Sequence, residues 1–366
     1  MGLSKQQKAV ISANIDDRTQ KVLKGIIDSY ITDSEAVGSR TLSKQLDVNL
    51  SPATIRNIMV DLSDMGYLEQ PHTSAGRIPT NKAFRFYVDS LAVADSLPEK
   101  IQGMIAQISN NGAGQVEQLL VSTTRILANL TEFICVISAP KAEVSHLQRI
   151  EFLKVNSREV LVILITKSGL IRNKIIESSE PLSQNFLNSV AEFLNKEFQN
   201  ASLLEIRKQI LESMVEDKER YDTLLAQAVR LGKKAFELDS PPAMYMEGQI
   251  ETLLNFKFKK QETVKSLISA FEQKNTMMDI VDRTLQADRI QIFIGEENKV
   301  EGLEDCSLVT AGYGLDNNVL GMVGVIGPTS MNYKRIIPVV DYTAKILSAS
   351  IAEHAHLDDH LFINKK

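Results

Sequence analysis

The sequence predicts a multidomain α+β chain, in which an N-terminal helix-turn-helix with a β-ribbon wing precedes an α+β domain interrupted by a mainly helical insertion. Three observations predict it. Residues 51–68, SPATIRNIMVDLSDMGYL, open on a capped amphipathic helix that ends at Gly66 and is preceded by two others. A ribbon bounded by Pro71 and Pro79, with the tip HTSAGR, follows directly. Beyond residue 95, strand-like runs give way to long helical stretches and then to strands again. The 366 residues suggest two or three domains, and a 43% hydrophobic content is enough to build real cores.

Each element has its own signal. In 17–32, Val22, Leu23, Ile26, Ile27 and Tyr30 recur at helical spacing. Gly38 then breaks the chain, and 39–46 reads as a short helix capped by Ser39. Ser51 caps a third helix that opens on Pro52 and stops at Gly66. Tyr67 to Gln70 and Arg77 to Ile78 are short extended segments, with Gly76 expected at a positive-φ turn position. Residues 80–93 return as a helix with Phe84, Tyr87, Val88 and Leu91 on its apolar face. The first boundary falls at 95. Helices are expected at 98–110, 114–131 and 183–199, and strands at 132–138, 146–155, 159–167 and 170–177. The charged stretch 203–236 is helical, DSPPAMYMEGQ interrupts, and helices follow at 261–273 and 276–286. Strands at 289–295, 307–313 and 319–326 precede a last helix over 338–353.

Charge is unevenly distributed. Of 41 bases and 46 acids, eleven of each lie in residues 1–95, so the remaining 30 bases and 35 acids carry the whole surplus of −5. A neutral front with local basic positions on an acidic body suits a DNA reader attached to something else. No apolar run is long enough for a membrane span, and the opening residues lack a signal-peptide core. The myristoylation pattern at Gly2 fails at Gln6. Cys135 and Cys306 lie singly in apolar runs, which predicts no disulfide framework and a cytoplasmic chain.

On the third helix Ile55, Ile58, Met59 and Leu62 form the packing face. Ala53, Asn57 and Val60 point away, flanked by Thr54 and Arg56. Arg reads guanine, Asn reads adenine, and Ala or Thr methyls meet the thymine methyl. Ser51 and the helix N-terminus suit a phosphate. Ser39, Arg40 and Thr41 of the second helix join the candidate DNA-binding set, with His72, Thr73, Ser74 and Arg77 from the wing. An arginine beside Gly76 suits a minor groove. The bland reading, an ordinary surface helix, leaves the exposed HTSAGR tip without a purpose.

The stretches AVGSRTLSKQL, SPATIRNIMVDLSDMGYLEQPHTSAGRIPTNKAFRFYVD, IGEEN (294–298) and GVIGPTSMNY (324–333) resemble the HrcA family of heat-inducible transcription repressors. The likeness covers essentially the whole chain. It implies a winged helix over 1–95, a GAF-like domain over 96–200 and 276–366, and an inserted dimerisation segment over 201–275. It also implies a homodimer that binds an inverted-repeat operator of the CIRCE type upstream of chaperone genes. The chaperonin GroEL is the implied modulating partner, and no cofactor is implied. Independently, the apolar residues of 203–236 exceed what an isolated insertion leaves uncovered, which favours dimerisation through the body.

Other chemistries find little support. GYGLDN (312–317) lacks the third glycine of a dinucleotide loop and has no helix behind it. HAHLDDH (354–360) has His356 and His360 at metal-ligand spacing, set against a solvated terminal turn, and His72 and His146 are isolated. A metabolite-responsive regulator with a ligand in the GAF-like domain is the alternative, and fold analogy alone supports it.

Overall fold

The computed structural model describes residues 15–46, 50–72, 75–91, 97–111, 116–141, 145–169, 171–178, 180–199, 201–206, 208–209, 231–236, 243–248, 280–284, 290–299, 303–315 and 318–363. Among these residues the chain is mixed α/β, with a two-stranded, a five-stranded and a three-stranded sheet.

The N-terminal unit begins with α1 (Asp17–Asp33), whose first turn is closed by the Asp16 carboxylate accepting from Thr19 N at 2.9 Å. Val22, Leu23, Ile26 and Ile27 are buried along one side. The next helix, α2 (Ser39–Gln45), has Gly38 rather than Ser39 as its N-cap, with no side-chain cap. The helix starts one residue early because Leu42 N already bonds Gly38 O. Ser51 does cap α3 (Pro52–Asp64), accepting from Thr54 N at 3.1 Å. Gly66, at φ 76°, ends α3, and Tyr67 N turns back to Leu62 O.

A hairpin of β1 (Leu68–Glu69) and β2 (Ile78–Pro79) follows, and α4 (Asn81–Ser90) buries Ala83, Phe84, Phe86, Tyr87 and Val88. The hairpin is tied to the turn before α2 by a two-bond bridge, Val37 N to Arg77 O and Arg77 N to Val37 O. Gly76 is not at positive φ, contrary to expectation. A side chain there would sit 2.4 Å from Val37 O, so the glycine serves this close backbone approach.

The body starts with α5 (Glu99–Asn111) and α6 (Val116–Thr131), then β3 (Ile134–Ser138). Here the hydrogen bonding departs from the sequence pattern, which runs four strands together after residue 132. β4 (Leu147–Lys154), β5 (Glu159–Thr166) and β6 (Ile171–Glu177) form their own antiparallel sheet and pack on α7 (Gln184–Glu197). Ile150, Phe152, Val162, Leu164 and Ile176 meet Leu187, Val190 and Leu194 there, joined by Leu203, Ile206, Leu231 and Phe236. Asn195 fastens helix to sheet, accepting from Ile150 N and donating to Ile150 O.

β3 belongs elsewhere, with β7 (Met244–Glu247), β8 (Gln291–Ile294), β9 (Cys306–Leu315) and β10 (Asn318–Pro328) in the order β7-β3-β10-β9-β8, all antiparallel. On one face Cys135, Ile137, Val309, Val323 and Val325 share a core with α5, α6 and the last helix, α8 (Tyr333–Ile363). On the other, Ile134, Val136, Phe293, Leu308 and Met322 meet Ile280 and Val281. β7 lies inside the stretch expected to be an interruption. Most of 203–236 and all of 261–273 lie outside the described residues.

Candidate nucleic-acid interface

The reading face proposed on α3 is open to solvent. Ala53, Arg56, Asn57 and Val60 are exposed and follow helical spacing on one side, while Ile55, Ile58, Met59 and Leu62 are buried on the other. Thr54 is half-buried, and its hydroxyl lies 2.9 Å from that of Ser51. The two hydroxyls fix one another at the positive end of the helix dipole, where exposed amides suit an anion. The other end of α3 is closed by Lys82, which donates to Met65 O at 2.8 Å and lies over the Tyr67 ring at 4.5 Å.

The remaining candidates lie on two neighbouring elements. Arg40 and Thr41 are exposed on α2, and Ser39 is half-buried at its start. On the hairpin His72 is exposed, and Ala75 N bonds His72 O to close the tip. Thr73 and Ser74 lie outside the described residues. Arg77 is half-buried and its guanidinium donates to Gln70 Oε1 at 2.5 Å, so it is held across the hairpin rather than extended from it. Gln70 was missed by sequence reasoning. Its amide also donates to Ala75 O, so one side chain braces both the tip and the arginine. The only available signal was its position facing Arg77 across the turn.

The alternative sites find no geometry. GYGLDN begins in β9, which pairs with β10 (Leu315 opposite Asn318), so among the described residues its glycines lie in a β-sheet rather than ahead of a helix. The side chains of HAHLDDH lie outside those described, and among the described residues no cluster of three or more metal-ligating groups occurs. No described helix is long and apolar enough to cross a membrane.

A small helical unit with an open polar helix face, carried on a larger α/β body, has the build of a regulatory binding protein. Comparisons make the class particular. Residues 117–337 match the family model described as the HrcA protein C terminal domain. The heat-inducible transcription repressor HrcA of Geobacter sulfurreducens is 39% identical over 335 residues, covering 92% of this chain and 98% of the relative. That of Syntrophobacter fumaroxidans is 36% identical over 343 residues, covering 93% and 99%. A crystal structure of a hypothetical protein shares the fold at a TM-score of 0.61 and 23% identity, over 93% of this chain and 99% of that one. The chain belongs to the HrcA family of heat-inducible transcription repressors, which are regulators and not enzymes.

Proposed function

We propose that this repressor reads duplex DNA through α3 and the β1–β2 hairpin, acting as the recognition helix and wing of a winged helix-turn-helix over residues 1–95. The observation that carries the reading is the solvent-facing set Ala53, Arg56, Asn57 and Val60 beside a capped helix N-terminus. Arg56 and Asn57 supply base-edge contacts. Ser51, Thr54, Ser39, Arg40 and Thr41 supply backbone contacts, and His72, Thr73 and Ser74 supply those of the wing, which Arg77 joins by exchanging its Gln70 partner for DNA.

The operator is an inverted repeat of the CIRCE type, read by a homodimer, because one such unit covers one half-site. We draw the GAF-like domain around the five-stranded sheet with α5, α6 and α8. The inserted dimerisation unit then begins before β4, earlier than residue 201. The outer face of β4–β6 supports this. Leu153, Ile171 and Ile175 are exposed there, with half-buried Leu161, Ile163 and Ile165 between them, while the inner face is covered by α7. A second copy of the same apolar face is its natural cover. Modulation by the chaperonin GroEL rests on the family resemblance alone.

Selection of bound sequences from random duplex DNA tests the reading. An inverted repeat is the expected product. Enrichment of a single unpaired site refutes the dimeric reading, and no enrichment refutes specific recognition.

A further inference from the structure

Two downstream motifs, IGEEN (294–298) and the MNYKR run (331–335), lie far from the reading face in sequence and in role. Both meet α4, the helix that follows the hairpin. Arg85 of α4 donates from Nε to Glu297 Oε1 at 2.8 Å, and from Nη2 both to Glu297 Oε2 and to Ile292 O. The guanidinium side chain is only 24% exposed, and a planar fork on a carboxylate is directional in a way that an ammonium is not. Glu297 also accepts from Ile294 N, so the receiving carboxylate is fixed by its own turn.

That turn lies flush against the start of α4. Gly295 is at φ 58°, and a Cβ there would fall 2.1 Å from Asn81 Nδ2. Alongside, the Phe84 ring lies 6.3 Å from both Tyr30 and Tyr333. Tyr333 is fully buried and anchored to Ser307 Oγ at 2.6 Å and Thr329 O at 2.8 Å. Asp28 of α1 completes the seam, accepting from Lys334 Nζ at 3.0 Å and from the Tyr87 hydroxyl. One apolar core runs through this seam from Ile15 to Ile351. The half-exposed Lys334 pair contributes little, whereas the Arg85 fork resists rotation.

We infer that Arg85 and Glu297 form a positioning joint that fixes the angle of the N-terminal unit on the body, and so selects the spacing between operator half-sites. The inference rests on the dimeric operator reading above. Neither residue touches DNA; each acts through the orientation of α3.

The test uses the full chain with E297Q, which keeps the shape and removes the charge, and E296Q as the control at the neighbouring exposed acid. R85K is the second variant, keeping charge while losing the fork. Spin labels at the exposed Lys44 and at Lys345, diluted with unlabelled chain, report the intrachain distance. Wild type and E296Q are expected to give one narrow distribution, and E297Q and R85K a broader or shifted one. On inverted repeats with spacers varied by one and two base pairs, E297Q is expected to bind the preferred spacing at least about tenfold more weakly, because simultaneous engagement is lost. Its spacer preference flattens, and binding to a single half-site is unchanged. A distance distribution or a spacer preference equal to that of E296Q overturns the joint. If the wild-type chain binds without any spacer preference, the operator reading falls, and the distance distributions alone decide the joint.

Discussion

Two glycines of the N-terminal unit are required for opposite reasons, and substitution separates them. A Cβ on Gly76 would lie 2.4 Å from Val37 O and 2.6 Å from Val37 C, where ordinary contact is 3.4–4 Å, so backbone must shift by about 1 Å. That shift breaks the bridge formed by Val37 N–Arg77 O at 2.9 Å and Arg77 N–Val37 O at 3.0 Å. At about 1 kcal/mol per bond, Gly76→Ala costs about 2 kcal/mol locally, roughly thirtyfold in the opening equilibrium. Gly66 has nothing within 4 Å of its Cβ position but sits at φ 76°, so Gly66→Ala meets only the left-handed penalty of about 1–2 kcal/mol. Asn tolerates that region better than Ala but is larger. The expected ranking is therefore Asn above Ala at residue 66, and Ala above Asn at residue 76. Hydrogen exchange of the Val37 and Arg77 amides, about thirtyfold faster in Gly76→Ala and near normal in Gly66→Ala, reads the difference. An equal ranking at both positions would refute the close-approach argument and return Gly76 to a purely conformational role.

Three further outcomes are expected. Arg56→Ala and Asn57→Ala each cost about 1–3 kcal/mol against the preferred base at one operator position, read by competition with single-base variants; unchanged specificity in the double substitution removes α3 from readout. Ile175→Lys buries an unpaired charge in the proposed sheet-face dimer at about 3–5 kcal/mol, raising the dimer Kd by roughly two decades or more; an undiminished dimer in light scattering moves the interface elsewhere. Burial pushes the Cys135 and Cys306 thiols from the ordinary 9.0 up to about 12, helped at Cys306 by Asp305 and Glu304. The unfolded chain therefore releases these protons first, and stability should fall as pH rises from about 9 to 12 and be indifferent to these groups below 9. Maleimide at pH 8 should label neither thiol before denaturation, and rapid labelling of Cys135 in the folded chain contradicts its burial.

Local features of the fold were legible where one residue type has one physical use. The stripes Val22–Leu23–Ile26–Ile27 and Ile55–Ile58–Met59–Leu62 are buried as their spacing predicts, and Ser51 caps α3 because its hydroxyl has a free amide beside it. Pairing across long separations was not legible. β3 is buried on both faces, and its partners β7 and β10 lie on the far side of β4–β6, so no local pattern assigns it to a different sheet from its neighbours. β7 reads as an interruption because MYME is short, follows two prolines and is half-exposed at a sheet edge. α8 begins at Tyr333 rather than at Pro338, since a proline in the second turn forfeits only one bond of a long helix. In the candidate site, exposure on α3 follows from periodicity, whereas the bracing of Arg77 by Gln70 depends on the hairpin register.

That separation also governs how the protein is made. Ile134 emerges from the ribosome early, yet its partner Ile326 follows roughly 190 residues later, and at about 5–20 residues per second that wait lasts about 10–40 s. For roughly the first half of it β3 lacks both sheet neighbours, and for nearly all of it β3 still waits for β10 and the helix α8. The three-stranded unit is synthesised within this interval from contiguous segments and is free to fold while the central sheet is still open. β3 thus waits for most of synthesis with only the preceding α6 against one face, so shielding it until β10 emerges should raise the yield of folded repressor.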